Sequence, residues 1–121
     1  MKYLPLLFDV QGKKCLIVGG GSVATRRAKN VAKAGITINM VSREVSQKTR
    51  ELVEMTGGWV NERDWQSDDI SNTYVFVIAA TDSAEVNAQI KKSCAALNIP
   101  VNVVTDAAPV SYTHLTLPTK I

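Results

Sequence analysis

Gly19-Gly20-Gly21-Ser22-Val23-Ala24 has the spacing G-x-G-x-x-G/A, directly after the apolar run Cys15-Leu16-Ile17-Val18 and at the start of an amphipathic stretch. In that setting each residue type has a physical reason. Gly19 permits a tight turn out of a strand, Gly21 lets the backbone approach a pyrophosphate, and Ala24 lets helix and strand pack closely. The free N–H groups of a helix N-terminus then face the phosphates, so Gly19, Gly20, Gly21, Ser22, Val23 and Ala24 are the candidate cofactor-binding loop. The alternative is a glycine-rich turn that holds no ligand.

Other residues fall where the same ligand would reach. A dinucleotide site of this kind usually carries a carboxylate for the ribose hydroxyls about 20 residues on, at the end of the second strand. Here that place holds Val41-Ser42-Arg43, with Glu44 close but late. Ser42 and Arg43 would suit a 2′-phosphate, hence NADP; alternatively Arg43 is merely solvated. Ala80, Thr81 and Asp82 close the fourth strand, on the rim where this topology brings loops towards the ligand. Asp82 is either a ligand contact or a helix cap. Asn102 and the pair Thr105-Asp106 lie by the fifth strand on the same rim, and Asp106, the one carboxylate there, is the candidate general acid or base.

Such residues need a scaffold, and the hydropathy pattern supplies one. Cys15–Val18, Ile36–Val41, Trp59–Arg63, Tyr74–Ala80 and Val101–Val104 read as strands. Between them, Ala24, Ala28, Val31 and Ala32 mark a helix from Ser22 to about Ala34, stopped by Gly35. Val45, Leu52 and Met55 suggest a second helix ending at Gly57-Gly58. Asp82-Ser83-Ala84-Glu85 has the acceptor-x-x-Glu spacing of a capping box, ahead of a third helix carrying Val86, Ile90, Cys94 and Leu97. A polar connection, 64–72, precedes the fourth strand. The order predicts an α/β fold, a Rossmann-like parallel sheet of about five strands in the order 3-2-1-4-5 with flanking helices.

The chain has 121 residues, enough for one domain, with 45% hydrophobic and 21% charged residues, which excludes disordered and fibrous classes. A net charge of +3 tolerates a polyanionic small molecule without requiring nucleic acid. Cys15 and Cys94 are too few for a disulfide scaffold and form no CxxC pair, so they read as buried thiols in a reducing compartment, the cytoplasm. The N-terminal apolar stretch is broken by Pro5 and stopped by Asp9, and reads as neither signal peptide nor membrane span.

Tyr3-Leu4-Pro5-Leu6, the stretch Cys15 to Arg27, Ala79-Ala80-Thr81-Asp82 with Asn87, and Val101-Asn102-Val103-Val104 together closely resemble the N-terminal domain of the siroheme synthase family. The resemblance runs from about Met1 to Ala108. It implies a precorrin-2 dehydrogenase that passes a hydride from precorrin-2 to NAD, giving sirohydrochlorin, with ferrous iron inserted afterwards in bifunctional members. It also implies NAD rather than NADP, a carboxylate-rich tetrapyrrole as substrate, and a homodimer for the full-length parent. No nucleic acid, membrane or resident metal is expected. Arg26 and Arg27 are expected to line the helix beside the loop.

The sequence departs from the family in two places. The family's catalytic aspartate follows Asn-Val-Val directly, a position held here by Thr105, with Asp106 one residue later. Residues 111–121, Ser-Tyr-Thr-His-Leu-Thr-Leu-Pro-Thr-Lys-Ile, resemble no part of the family. They are expected to be a non-native tail, so that 1–110 is an NAD-binding domain truncated relative to the family and His114 has no metal or catalytic role. The competing expectation is a regulatory module that senses NAD through the same glycine loop and transfers no hydride.

Overall fold

The computed structural model describes residues 7–104. The expectations placed on Thr105, Asp106, His114 and the tail 111–121 lie outside the described residues, as does the motif at residues 3–6.

Five strands, β1 (Lys14–Val18), β2 (Thr37–Ser42), β3 (Val60–Glu62), β4 (Tyr74–Ala79) and β5 (Val101–Val103), form one sheet in the order β3-β2-β1-β4-β5. Every pairing is parallel. Three helices connect them: α1 (Ser22–Ala32), α2 (Gln47–Met55) and α3 (Ala84–Ala96). This is the predicted α/β Rossmann-like sheet.

The continuous apolar runs follow from cover on both faces. Along β1 the side chains alternate, so Cys15 and Ile17 join Ala24 and Ala28 of α1 and Val53 of α2 in one core cluster. Leu16 and Val18 join Ile90 and Cys94 of α3 in the other. Helices α1 and α2 therefore cover one face and α3 the opposite face, as right-handed crossovers require when the chain leaves β1 in one direction and β4 in the other. The reversal falls between β1 and β4. Each fully buried aliphatic side chain in these layers, Leu16 or Ile17 for example, stabilises the fold by roughly 1.5–3 kcal/mol.

The elements differ from the sequence reading mainly at their ends. Helix α1 stops at Ala32 rather than near Ala34, and Gly35 completes the exit with a φ of +77°. Strand β3 is three residues long, shorter than Trp59–Arg63. The polar connection contains a 3-10 turn, Ser67–Asp69, which no hydropathy pattern marks. Arg63 fixes that turn through a two-pronged contact with Asp69, at 2.9 and 2.6 Å. That guanidinium holds the Asp69 carboxyl below its ordinary range.

The capping box at Asp82 is corrected. The N-cap of α3 is Ser83, whose hydroxyl accepts from the Val86 N–H at 3.2 Å. Helical backbone begins at Ala84, one residue too late for Asp82 and Glu85 to occupy the two ends of a box.

Candidate functional site

The glycine loop sits at the carboxyl end of β1, above the point where the strand order reverses, and its three glycines meet three different surroundings. Gly19 has a φ of +122°, and a Cβ built there would lie 2.3 Å from the Ala80 carbonyl oxygen. The loop is held that close to β4 by two backbone bonds, Gly19 N–H to Val41 O at 2.9 Å and Ala80 N–H to Val18 O at 2.8 Å. A Cβ on Gly20 would lie 2.4 Å from the Glu44 carbonyl oxygen and 2.7 Å from Ser42 Oγ. Gly21 is different: a Cβ there would meet nothing within 4 Å.

Gly21 is also the N-cap of α1, with ordinary extended backbone and no side-chain hydrogen bond to the helix end. The first turn of α1 contains no acidic residue. Thr25 bonds the Gly21 carbonyl through both its N–H, at 2.9 Å, and its hydroxyl, at 2.8 Å, which fixes the loop without touching the helix donors. The positive end of the helix dipole thus opens onto free space. Ala24, fully buried, packs in the α1-side core beside the strands, and Val23 packs partly against it. Ser22 is exposed at the loop.

Around this loop the structure assembles most of the expected residues. Ser42 turns its hydroxyl onto the Glu44 carbonyl at 2.7 Å, forming the floor beneath Gly20. Arg43 is exposed and ion-paired with Asp64, which follows β3. Asp82 is exposed on the turn after β4, near enough to Arg43 to help raise the pKa of its guanidinium. Ala80 is half-buried next to Gly19. Asn102 is buried on β5, paired in register with Ile78 and so one step below the rim.

Asn87 belongs to this group although the sequence reading gave it no role. It is buried in α3 and clamps Thr81: its Oδ1 accepts from the Thr81 N–H at 3.1 Å and the Thr81 hydroxyl at 2.6 Å. Its Nδ2 donates back to the Thr81 carbonyl at 3.1 Å. That exchange shapes the β4–α3 turn opposite the glycine loop. An asparagine in the first turns of a helix, where its side chain can reach the preceding turn, was the available signal.

A groove of about 590 Å³ opens from Gly20, Gly21 and Ser22 between α1 and α2. Arg26, Lys29 and Lys48 are the charged residues of its lining, joined by the hydroxyls of Thr25, Ser46 and Thr49. The two cysteines are buried thiols in the layers beneath the sheet faces, not reactive ones at the groove. Burial pushes the Cys15 thiol up to about 12 and Cys94 up to about 11. Among the described residues no cluster of histidine, cysteine, aspartate and glutamate side chains could hold a metal, and no helix is long and apolar enough to cross a membrane.

The residues fit a dinucleotide: two glycines crowded by protein, a third facing open space at an uncapped helix end. A family model described as "Putative NAD(P)-binding" matches residues 6–114. The chain belongs to this NAD(P)-binding family. Within it, the siroheme synthase of Saccharophagus degradans is 41% identical over 108 residues, 89% of this chain and 23% of that protein. The siroheme synthase of Pseudomonas aeruginosa strain LESB58 is 43% identical over 104 residues, 86% of this chain and 22% of that one. Among solved structures, "SirC, precorrin-2 dehydrogenase" superposes with a TM-score of 0.71 at 26% identity, covering 91% of this chain and 53% of its own. The chain thus spans less than a quarter of the length of these siroheme synthases.

Proposed function

We propose that this chain is the cofactor-binding part of an NAD-dependent precorrin-2 dehydrogenase of siroheme biosynthesis. The observation that carries the reading is Gly21, open to solvent at the uncapped N-terminus of α1 while the two preceding glycines, Gly19 and Gly20, are packed against β4 and the β2–α2 turn. A pyrophosphate laid there would receive backbone N–H groups of the first turn of α1. The similarity to siroheme synthases and to a precorrin-2 dehydrogenase supports the choice of reaction.

In this reading Gly19, Gly20, Gly21, Ser22, Val23 and Ala24 form the phosphate loop. Ser42 and Arg43 border the adenosine end, Asp82 lies on the rim between the two ends, and Ala80, Thr81 and Asn102 border the nicotinamide path along β4 and β5. Bound NAD supplies a hydride acceptor for precorrin-2. Asp106 is assigned the proton that leaves with the hydride when a C–C single bond of the substrate becomes double. The basic surplus of the chain suits a substrate with many carboxylates. Ferrous iron as a second substrate, a homodimer of the full-length protein and a cytoplasmic location belong to the same proposal. So does the division into an NAD-binding domain, 1–110, and a non-native tail, 111–121.

The test is a titration of the chain with NAD, followed by precorrin-2 turnover read as NADH formation. Gly21→Ala is expected to keep the melting temperature and to weaken NAD binding at least about ten-fold, because its methyl group enters the space the phosphates need. Unchanged binding in Gly21→Ala would remove the loop from the site. Tight NAD or NADH binding with no affinity for a tetrapyrrole would instead favour a sensing module.

A further inference from the structure

The second strand ends without the carboxylate that normally recognises an adenosine ribose: Ser42-Arg43 stand there, and the Ser42 hydroxyl is turned onto the Glu44 carbonyl. Arg43 beside a serine is the pairing that would welcome a 2′-phosphate. The neighbouring groove strengthens that expectation, since among the described residues of its lining the charged ones, Arg26, Lys29 and Lys48, all carry positive charge. The structure contains one element acting against it. The bond from Arg63 N–H to Ser42 O, at 2.9 Å, brings the end of β3 level with the end of β2, and the next residue, Asp64, pairs its carboxylate with Arg43 Nε. Asp82, on the β4–α3 turn, adds a weaker negative charge to the surroundings of the same guanidinium.

We infer that Asp64 is the residue that sets cofactor choice, supplying from the segment after β3 the negative charge that β2 lacks. Paired with Asp64, Arg43 offers no net charge to a 2′-phosphate. The ribose hydroxyls of NAD carry no charge and meet no such penalty. Without Asp64, the charge of Arg43 at the end of β2 would no longer be offset by its ion-pair partner, and the rim would favour a phosphate. Asp64 is therefore a positioning residue, acting through Arg43. The inference rests on the dinucleotide reading above and adds the group that discriminates between its two forms.

The experiment measures dissociation constants for NAD and NADP, by calorimetric titration at low salt, for the full chain, Asp64→Asn and the double variant Arg43→Ala/Asp64→Asn. Both partners of the ion pair are exposed, with 82% and 68% of their side-chain surfaces accessible, so Asp64→Asn is not expected to alter folding. The original chain should prefer NAD. Asp64→Asn should tighten NADP binding by about ten-fold and move NAD by less than about two-fold, the size expected for one unscreened charge a few ångströms away in water. The double variant should lose that gain, and 0.5 M salt should compress it. A ratio of NADP to NAD affinity that Asp64→Asn leaves unchanged would overturn the inference while leaving the dinucleotide site standing, as would a gain that survives the loss of Arg43. If the original chain binds neither dinucleotide, the dinucleotide reading itself fails and takes the inference with it.

Discussion

Gly19 and Gly21 are two positions apart in the same loop and answer to different constraints. At Gly19 the backbone is left-handed and the Ala80 carbonyl lies where a side chain would begin, so both conformation and space demand glycine. Gly19→Ala is expected to destabilise the fold by roughly 3 kcal/mol or more, since strain at such a position adds to a backbone clash that no rotamer relieves. Urea unfolding monitored by circular dichroism checks this, and a loss below about 0.5 kcal/mol, the scatter of ordinary surface changes, would refute it. The contrast with Gly21→Ala separates a glycine kept for the protein from one kept for a ligand. The motif itself is legible in the sequence because its spacing is local. The spacing also assigns Gly19 to the turn and Gly21 to the phosphates; what it does not show is the crowding of Gly19 and Gly20, because the atoms that meet them belong to Ala80 and Glu44, brought there only by the folded sheet.

At the scale of the element, the start of α3 shows how a local pattern can be read one residue out of frame. Asp82 and Ser83 are both good caps, and the spacing to Glu85 favours Asp82. The frame is decided outside the helix, by the turn that Asn87 holds against Thr81 and by the Ser83 N–H, which donates to the Thr81 hydroxyl at 3.2 Å. The cap therefore falls on Ser83. Ser83→Ala is expected to cost about 1 kcal/mol of stability, the usual value of a lost side-chain cap. Asp82→Ala should stay within about 0.5 kcal/mol, as for exposed positions without a structural partner. Thermal unfolding of the two variants decides between the frames; the reverse ranking would restore Asp82 as the cap. With capping assigned to Ser83, Asp82 is available to the rim, where its charge adds weakly to the surroundings of Arg43. The helices themselves were legible from their apolar spacing, whereas the 3-10 turn at Ser67–Asp69 was not, because it depends on Arg63 reaching Asp69 rather than on any periodicity.

At the scale of the whole molecule, the sheet order was readable because a run such as Cys15-Leu16-Ile17-Val18 has no polar face, so the strand must be covered on both sides, and the helices between strands supply the cover. The two thiols report on the two layers separately, Cys15 in the cluster under α1 and α2, Cys94 in the cluster under α3. Burial raises both pKa values from the ordinary 9.0, to about 12 and about 11. An unfolded chain releases these protons as the pH passes 9.0, while the folded chain keeps them, so the unfolded state binds fewer protons and stability falls with rising pH. The contribution is fully present below pH 9.0 and is lost progressively towards pH 12 for Cys15 and pH 11 for Cys94. Urea titrations between pH 8 and pH 11 are expected to show a steeper loss for the original chain than for Cys15→Ala, other titrating groups being common to both. The original chain and the variant need comparison only in slope, because Cys15→Ala also leaves a small cavity that lowers stability at every pH. Alkylation by iodoacetamide at pH 8 should follow the same order, with Cys94, on an outer helix, labelled before Cys15, at the centre of the sheet. Equal labelling rates at the two sites would mean that the layers open together, and rapid labelling of Cys15 in the folded protein would contradict its place in the core.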